Sequence, residues 1–413
     1  MNLLNQYRGL RREVYVLFFG RVVTNLGAMV WPLLTLIMNQ KLGMSASLVA
    51  VVSVIASALL LPMNLLGGRL ADKFNKKKII VICDSISIAF YLLLGILPLT
   101  TASLPLMLVA AACQSMEGPA YDALLADITL TRDRERAYSL MYLGMNLGMV
   151  LSPTLAGFLF KRALWLAFII SGLSIGLSTL LIALLLKDIA PVEETGGIAE
   201  YQAARQGDSL LRVMRDNPAV LLYILIMGLY YTAYGQFGYL MPLDLGRVHG
   251  EDGALIFGTV NSLNCLIVIT CTPVITHWFR RLWDTRKTVV GVALQASGFG
   301  VFALLLGHVP AYYLAMVLFT WGEIFATVAE GPYLSSRVPA SHRGRVNGLI
   351  AVAMAVTTGA GELVTGRLFD TLGSGAAWAF TLGVDAVALA LCLWLARRDR
   401  KRYPGLYEGE ARS

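Results

Sequence analysis

Carboxylates set within apolar segments are where this 413-residue chain can do chemistry. Glu323 stands about halfway along an apolar run, among Phe319, Trp321 and Phe325, and Glu330 follows seven residues later on the same helix face. Ionisable groups at membrane depth are costly and usually functional. Removing a carboxylate from water favours its neutral form, which suits such a group to taking up and releasing a proton. The plainer reading is a hydrogen bond between helices or a Glu–Arg structural pair. Gln114, Glu117 and Tyr121 recur at i, i+3 and i+7 and share another face, while Asp122 points elsewhere. Glu117 is thus a third proton-coupling candidate, and Gln114, Tyr121 and Asp122 are candidates for lining a substrate cavity.

Arg21 and Asn25 form an i, i+4 pair and are further cavity candidates. Arg21 has three readings: snorkelling to the surface, pairing with a buried carboxylate such as Glu117 or Glu323, or holding an anionic group of a substrate. The pairing is the expectation. The run Tyr230, Tyr231, Tyr234, Gln236, Phe237 and Tyr239 puts Tyr230 and Tyr234 on one face, continued by Phe237. These aromatics suit a pocket for amphiphilic, including cationic, molecules; equally they suit an interfacial aromatic belt. Asn261 and Asn264, at i, i+3, face either a cavity or a neighbouring helix. Asp84 reads as structural, and Glu362 and Asp385 are secondary intramembrane candidates. No phosphate-cradling loop, nucleophile triad or metal cluster stands out. No catalytic residue, metal or cofactor is therefore expected, and the chain does not read as an enzyme.

The elements that must carry these residues are long and apolar. Hydrophobic residues make up 57% of the chain and charged residues 15%, against about 25% charge in a soluble protein, and the mean hydropathy is +0.66. Twelve membrane-length runs are expected, at roughly 14–38, 46–70, 79–99, 103–128, 137–160, 164–186, 218–244, 253–277, 288–307, 310–336, 345–369 and 374–396. The polar stretch 187–217 divides them into an N-terminal six-helix bundle, 1–186, and a C-terminal one, 218–396, with a tail at 397–413. Part of the divider, Asp208–Arg215, suits a short amphipathic surface helix. The first run is too long for a signal-peptide core and is expected to stay as helix 1.

With the N-terminus inside, 28 of the 34 lysines and arginines fall in inside segments and five in outside ones. The positive-inside rule then sets both termini in the cytoplasm. The net charge of +8 is accounted for by this topology, so a nucleic-acid partner is not expected. Cys83, Cys113, Cys265, Cys271 and Cys392 all lie in apolar runs without a CxxC pair and read as packing residues.

Between the second and third runs stands the basic hinge Gly67-Gly68-Arg69-Leu70-Ala71-Asp72-Lys73-Phe74-Asn75-Lys76-Lys77-Lys78. Phe279–Lys287 is a degraded copy of it in the second half. Helix 4 and its exit (Glu117-Gly118-Pro119, then Arg136) echo helix 10 and its exit (Glu330-Gly331-Pro332, then Arg345). Repeated halves are a transporter feature.

On these residues the chain resembles the major facilitator superfamily over nearly its whole length. Gly68, Asp72, Lys73, Lys76 and Lys77 are similar to that family's helix 2–3 signature, with Asn75 at its second glycine, a residue that tolerates positive φ. The helix-5 string Gly144, Gly148, Ser152, Pro153, Ala156 and Gly157 is similar to its antiporter motif, although the glycine spacing also suits close packing alone. Trp321-Gly322-Glu323-Ile324, followed by Asn347-Gly348, resembles the LmrP-type multidrug:proton antiporters. Gln114 falls where the family usually has an arginine, and that arginine's role is not carried over.

The resemblance implies an all-α fold of twelve transmembrane helices in two pseudo-symmetric bundles and alternating access. It implies extrusion of amphiphilic small molecules against protons from a monomer in a bacterial cytoplasmic membrane. It makes Asp72 and its lysines a gate, with Asp127 holding one of the cations. Two alternatives share the fold: a specific metabolite or anion transporter using Arg21, and a lipid flippase.

Overall fold

The computed structural model describes residues 7–129, 131–186, 210–279, 281–338, 343–404 and 407. Among them there is no strand. Twelve long helices follow in order: α1 (Arg12–Leu26), α2 (Ala46–Lys73), α3 (Lys76–Ile96), α4 (Ser103–Asp127), α5 (Thr131–Arg162), α6 (Leu164–Leu185), α7 (Pro218–Tyr234), α8 (Asp252–Trp278), α9 (Asp284–Leu304), α10 (Val309–Arg337), α11 (Arg343–Leu372) and α12 (Ser374–Arg402). A short helix, Leu210–Asp216, precedes α7. Helices satisfy their own backbone polar groups, as a hydrocarbon surrounding requires. Eleven spans among the described residues are long and apolar enough to cross a membrane. The expected span missing from that set is α4, whose apolar character is diluted by Gln114, Glu117, Pro119 and Asp122. Large apolar side chains also face outward, with Leu184 72%, Trp278 75% and Leu304 84% exposed, as suits a lipid-facing surface.

Three expected boundaries are corrected. The span 14–38 is broken: α1 stops at Leu26, and the chain continues through a 3₁₀ turn at Trp31–Leu33 and a π turn at Ile37–Lys41. Pro32 lacks an N–H and restarts the helical turn. The span 218–244 is broken too, with α7 ending at Tyr234, a 3₁₀ turn at Gly235–Phe237, and a separate helix at Leu240–His249. Thr358 of α11 donates to the carbonyl of Tyr231 at 3.1 Å, just before the break, and its methyl group crowds Gly235. The last helix runs on to Arg402, beyond the expected end at 396, because its basic final turn continues the helix after the apolar run stops.

The described residues form two compact units. One comprises the described parts of Met1–Ser45, Val51–Gly196 and Leu245–Ile269, the other those of Ala46–Ala50, Gly197–Asp244 and Thr270–Ser413. In the first, α1 packs on α5 and α6, and α3 packs on α4 and α6. In the second, α7 packs on α11 and α12, and α9 packs on α10 and α12. Shifting every helix by six converts one scheme into the other, so the repeat read in the sequence is a repeat of packing. The first core gathers Val14, Leu17, Ile80, Ala120, Leu125 and Ile182. The second gathers Val220, Ile226, Met227, Val292, Tyr333 and Ala388. Asp370 caps the first turn of α2, accepting from the amides of Ala46 at 3.1 Å and Ser47 at 2.8 Å.

Candidate functional site

Each unit holds buried carboxyl groups among aromatic and hydroxyl side chains. In the first, a cavity of about 190 Å³ is lined by Arg21, Asn25, Trp31, Asp84, Gln114, Glu117 and Tyr121. Asp84 is 5% exposed and accepts a hydrogen bond from the Thr179 hydroxyl at 2.5 Å. Glu117 lines the same cavity.

The Arg21 guanidinium lies 4.1 Å above the Tyr121 ring, a cation–π arrangement. The Tyr121 hydroxyl donates to the Leu17 carbonyl at 2.6 Å and fixes that ring. Among the described residues no carboxylate comes within ion-pair distance of Arg21, so the structure does not place it in a direct salt bridge. Gln114 accepts from the Trp31 indole at 3.3 Å. The Asn25 amide donates back to the Arg21 carbonyl at 2.8 Å. Asp122 is exposed and outside the cavity lining. Asp84, read in the sequence as structural, is the residue this cavity adds.

In the second unit α7 and α10 bring tyrosines to carboxylates. Tyr234 donates to Glu323 at 3.0 Å, and Tyr231 donates to Glu330 at 3.0 Å. Phe319 stacks on Tyr234 with ring centroids 5.2 Å apart, and Phe237 lies 5.1 Å from Phe319. Tyr230 adjoins this group, its ring centroid 6.1 Å from that of Tyr234, but reaches no described carboxylate through its hydroxyl. It is 1% exposed, its hydroxyl has no partner among the described residues, and its carbonyl accepts from Gln295 at 3.1 Å. Gln295 also donates to Asp385 at 3.1 Å, which occupies that carboxylate in a buried network. The neighbour Tyr231, which spacing did not group with Tyr234, is the second tyrosine to reach a carboxylate. Asn261 and Asn264 are buried on α8 and do not line the cavity of the first unit.

The antiporter-like string on α5 is a packing seam. A Cβ at Gly148 would meet the Val22 carbonyl oxygen at 2.5 Å and Asn25 Cβ at 2.7 Å, so α1 runs against it. A Cβ at Gly157 would meet the Ala254 carbonyl oxygen at 2.5 Å, on α8. Gly144 faces Phe18 of α1, the Pro153 carbonyl faces Gly258, and Ser152 is fully buried. In the basic hinge, Lys76 pairs with Asp127 at 2.8 Å, and Lys77 donates to the Leu186 carbonyl at 2.6 Å. Gly68 faces Pro119, and Lys73 is exposed. The Asp72 side chain lies outside what the structure describes. Asn75 does not use positive φ: at φ −63° it caps α3, its side chain accepting from the Lys78 amide at 3.1 Å.

One buried pair escaped the sequence reading. Arg337 donates through Nε to Asp399 Oδ1 at 3.0 Å and through Nη2 to Oδ2. Tyr333 and Tyr407 donate to the same carboxylate at 3.1 Å and 2.6 Å. Burial and the bond to Asp399 push the Tyr407 phenol up from its ordinary value. Arg337 falls just outside the expected span 310–336 and Asp399 in the expected tail, so neither reads as buried from its position.

The family model of the Major Facilitator Superfamily matches residues 17–354, and the chain belongs to that family. It is an integral, multi-pass membrane transporter. It is 23% identical to an uncharacterized MFS-type transporter, YqjV, of Bacillus subtilis (strain 168), with 86% of this chain and 85% of that one covered. It is 23% identical to a Na(+), Li(+), K(+)/H(+) antiporter of Planococcus maritimus, covering 77% and 80%. It is 24% identical to the multidrug resistance protein MdtH of Yersinia enterocolitica, covering 90% of each. Among solved structures, a peptide transporter POT in complex with sulfate superposes with a TM-score of 0.76 at 16% identity, covering 95% of each chain. A bacterial homologue of the human lysosomal transporter Spinster superposes at 0.72 and 15% identity, covering 94% of this chain and 99% of that one. These likenesses support the twelve-helix transporter fold.

Proposed function

We propose that this chain is a proton-coupled exporter of amphiphilic small molecules, working by alternating access in a bacterial cytoplasmic membrane with both termini inside. The observation that carries the reading is the Tyr234–Glu323 hydrogen bond, set beside the Phe319 ring inside the second unit. When Glu323 is ionised the phenol donates to it. When Glu323 is protonated the acid donates instead, so the pair holds either state without losing its bond. An amphiphilic cation would be drawn to the ionised form and to the neighbouring aromatic faces. Protonation removes the charge and weakens that attraction. Proton and substrate then lower one another's affinity by the same factor, which is the thermodynamic requirement for exchange.

Asp84 and Glu117, which line one cavity, offer a second place for a proton in the first unit, and Glu330 with Tyr231 offers a third in the second unit. Lys76 and Asp127 act in gating and not in substrate binding. The multidrug and cation/proton antiporter names among the relatives support exchange as the class of transport. Purified protein in liposomes should drive uphill efflux of an amphiphilic cation when a pH gradient is imposed, and collapse of the gradient should stop it. Efflux indifferent to the gradient would contradict the reading.

A second reading rests on Arg21, which has no carboxylate within ion-pair distance among the described residues and lines the cavity of the first unit. On that reading the substrate is a specific organic anion. Substrate binding lost in Arg21→Ala but kept in Glu323→Gln would favour it.

A further inference from the structure

The start of α9 and the end of α12 frame a groove of about 660 Å³ in the second unit. Along α12, Leu393, Ala396, Arg397, Arg400 and Lys401 line it as one stripe at helical spacing. The stripe changes character along its length, apolar at Leu393 and Ala396 and cationic from Arg397 onward. α9 repeats the gradient, with Arg286 in its first turn and Val289 and Val290 a turn further in. Both helices therefore put cations at one end of the groove and apolar side chains at the other. At 1.5 Å per residue the α12 stripe covers about 12 Å, enough to pass from a headgroup into the first part of an acyl chain.

Among the described residues, the acids nearby are already committed. Asp284 pairs with Lys287 at 3.3 Å, and Asp399 is held by Arg337, Tyr333 and Tyr407. Among the described residues none of the four groove cations has a carboxylate partner. Trp283 lies against Tyr407 with centroids 4.7 Å apart at the cationic end, and on the neighbouring face of α12 Arg398 sits 4.2 Å above Trp394. Tryptophans with basic neighbours are typical of the headgroup level of a bilayer.

We propose that this groove binds an anionic phospholipid, its phosphate among the four cations and an acyl chain along Leu393, Val289 and Val290. Basic pockets between membrane helices recognise anionic headgroups in this way. A zwitterionic lipid would bring its own ammonium against the same cations and bind more weakly. The proposal is independent of the transport reading, since its tests read binding. On the orientation proposed above, the site lies in the cytoplasmic leaflet.

The test titrates full-length protein in detergent with phosphatidylglycerol, phosphatidylcholine and water-soluble glycerol phosphate, reading retained ligand by native mass spectrometry and the shift in Tm. Phosphatidylglycerol should be retained and raise Tm, while the other two do neither. Arg397→Gln/Arg400→Gln/Lys401→Gln should weaken phosphatidylglycerol binding about a hundredfold. Ala396→Trp, which keeps every charge but fills the acyl seat, should weaken it too, and Arg398→Gln, outside the groove, should leave it unchanged. The proposal is overturned by equal binding of both lipids, by full binding in the triple variant, or by glycerol phosphate reproducing the lipid's effect. Should the triple variant not fold, wild-type binding by Ala396→Trp overturns it equally.

Discussion

Tyr234 donates a hydrogen bond to Glu323 across 3.0 Å and ties α7 to α10 within the second unit. The bond sets a phenol, which can both donate and accept, beside the carboxyl group proposed to exchange protons. Tyr234→Phe removes the bond and leaves the ring that stacks on Phe319. A hydrogen bond to a charged group contributes about 1.5–3 kcal/mol. Gradient-driven efflux should therefore fall by roughly tenfold or more, in a protein that still folds. Efflux at the wild-type rate would separate Tyr234 from the coupling step.

Asp84 is the test of the first unit. Asp84→Asn keeps the shape of the side chain and its contact with Thr179 but removes one of the two carboxyl groups that line the cavity. The expected result is about tenfold lower uphill accumulation in liposomes, on the same hydrogen-bond scale, with substrate exchange at equal pH largely kept. Unchanged accumulation would make Asp84 a packing residue.

The Arg337–Asp399 pair is a matter of stability. Its side chains are 4% and 0% exposed. Removing one partner of a buried ion pair leaves an uncompensated charge and costs about 3–5 kcal/mol, while replacing both with apolar residues costs far less. Asp399→Leu alone should thus lower Tm more than the double variant Arg337→Met/Asp399→Leu does. Equal losses would mean that the pair is not desolvated in the folded protein.

Lys41 stands 2.6 Å from Glu251, and its hydrogen bond and charge hold that carboxyl below the ordinary glutamate range. A carboxyl held low in the folded state contributes stability above its unfolded pKa, about 4.3. That contribution is lost as pH falls through the lower folded value. The sensitive window is therefore acidic, below about pH 4.3. A carboxyl titration followed by NMR with labelled glutamate should place Glu251 low in the wild type and at the ordinary value in Lys41→Gln. Identical titrations would show that the pair does not form in solution.

Much of the fold was legible because hydrocarbon imposes one rule on every span: apolar length and internal hydrogen bonding. The order of twelve long helices follows from that rule, while the repeat between halves showed in the echoed Glu117-Gly118-Pro119 and Glu330-Gly331-Pro332 strings. The interruptions after Leu26 and Tyr234 did not show, since a hydropathy window registers apolar length and passes over a local close contact such as Gly235 against Thr358. At the sites, helical spacing singled out Glu323, Glu330 and Glu117, and the structure places tyrosines beside the first two. It placed Tyr230 on the same face as Tyr234, yet Tyr231 is the tyrosine that reaches a carboxylate. Asp84 looked structural from its distance to the surface, and only its neighbours, Thr179 on α6 and Glu117 on α4, make it part of the cavity. Such neighbours lie on helices far apart in the chain, where spacing within one helix carries no information.

The central claim is that Glu323 couples proton movement to substrate movement. It is tested most directly by comparing wild type and Glu323→Gln in liposomes, measuring efflux of an amphiphilic cation with and without an imposed pH gradient. The account predicts that the variant still exchanges substrate at equal pH but no longer accumulates it uphill and no longer responds to pH. Full uphill transport with wild-type pH dependence in Glu323→Gln would contradict it.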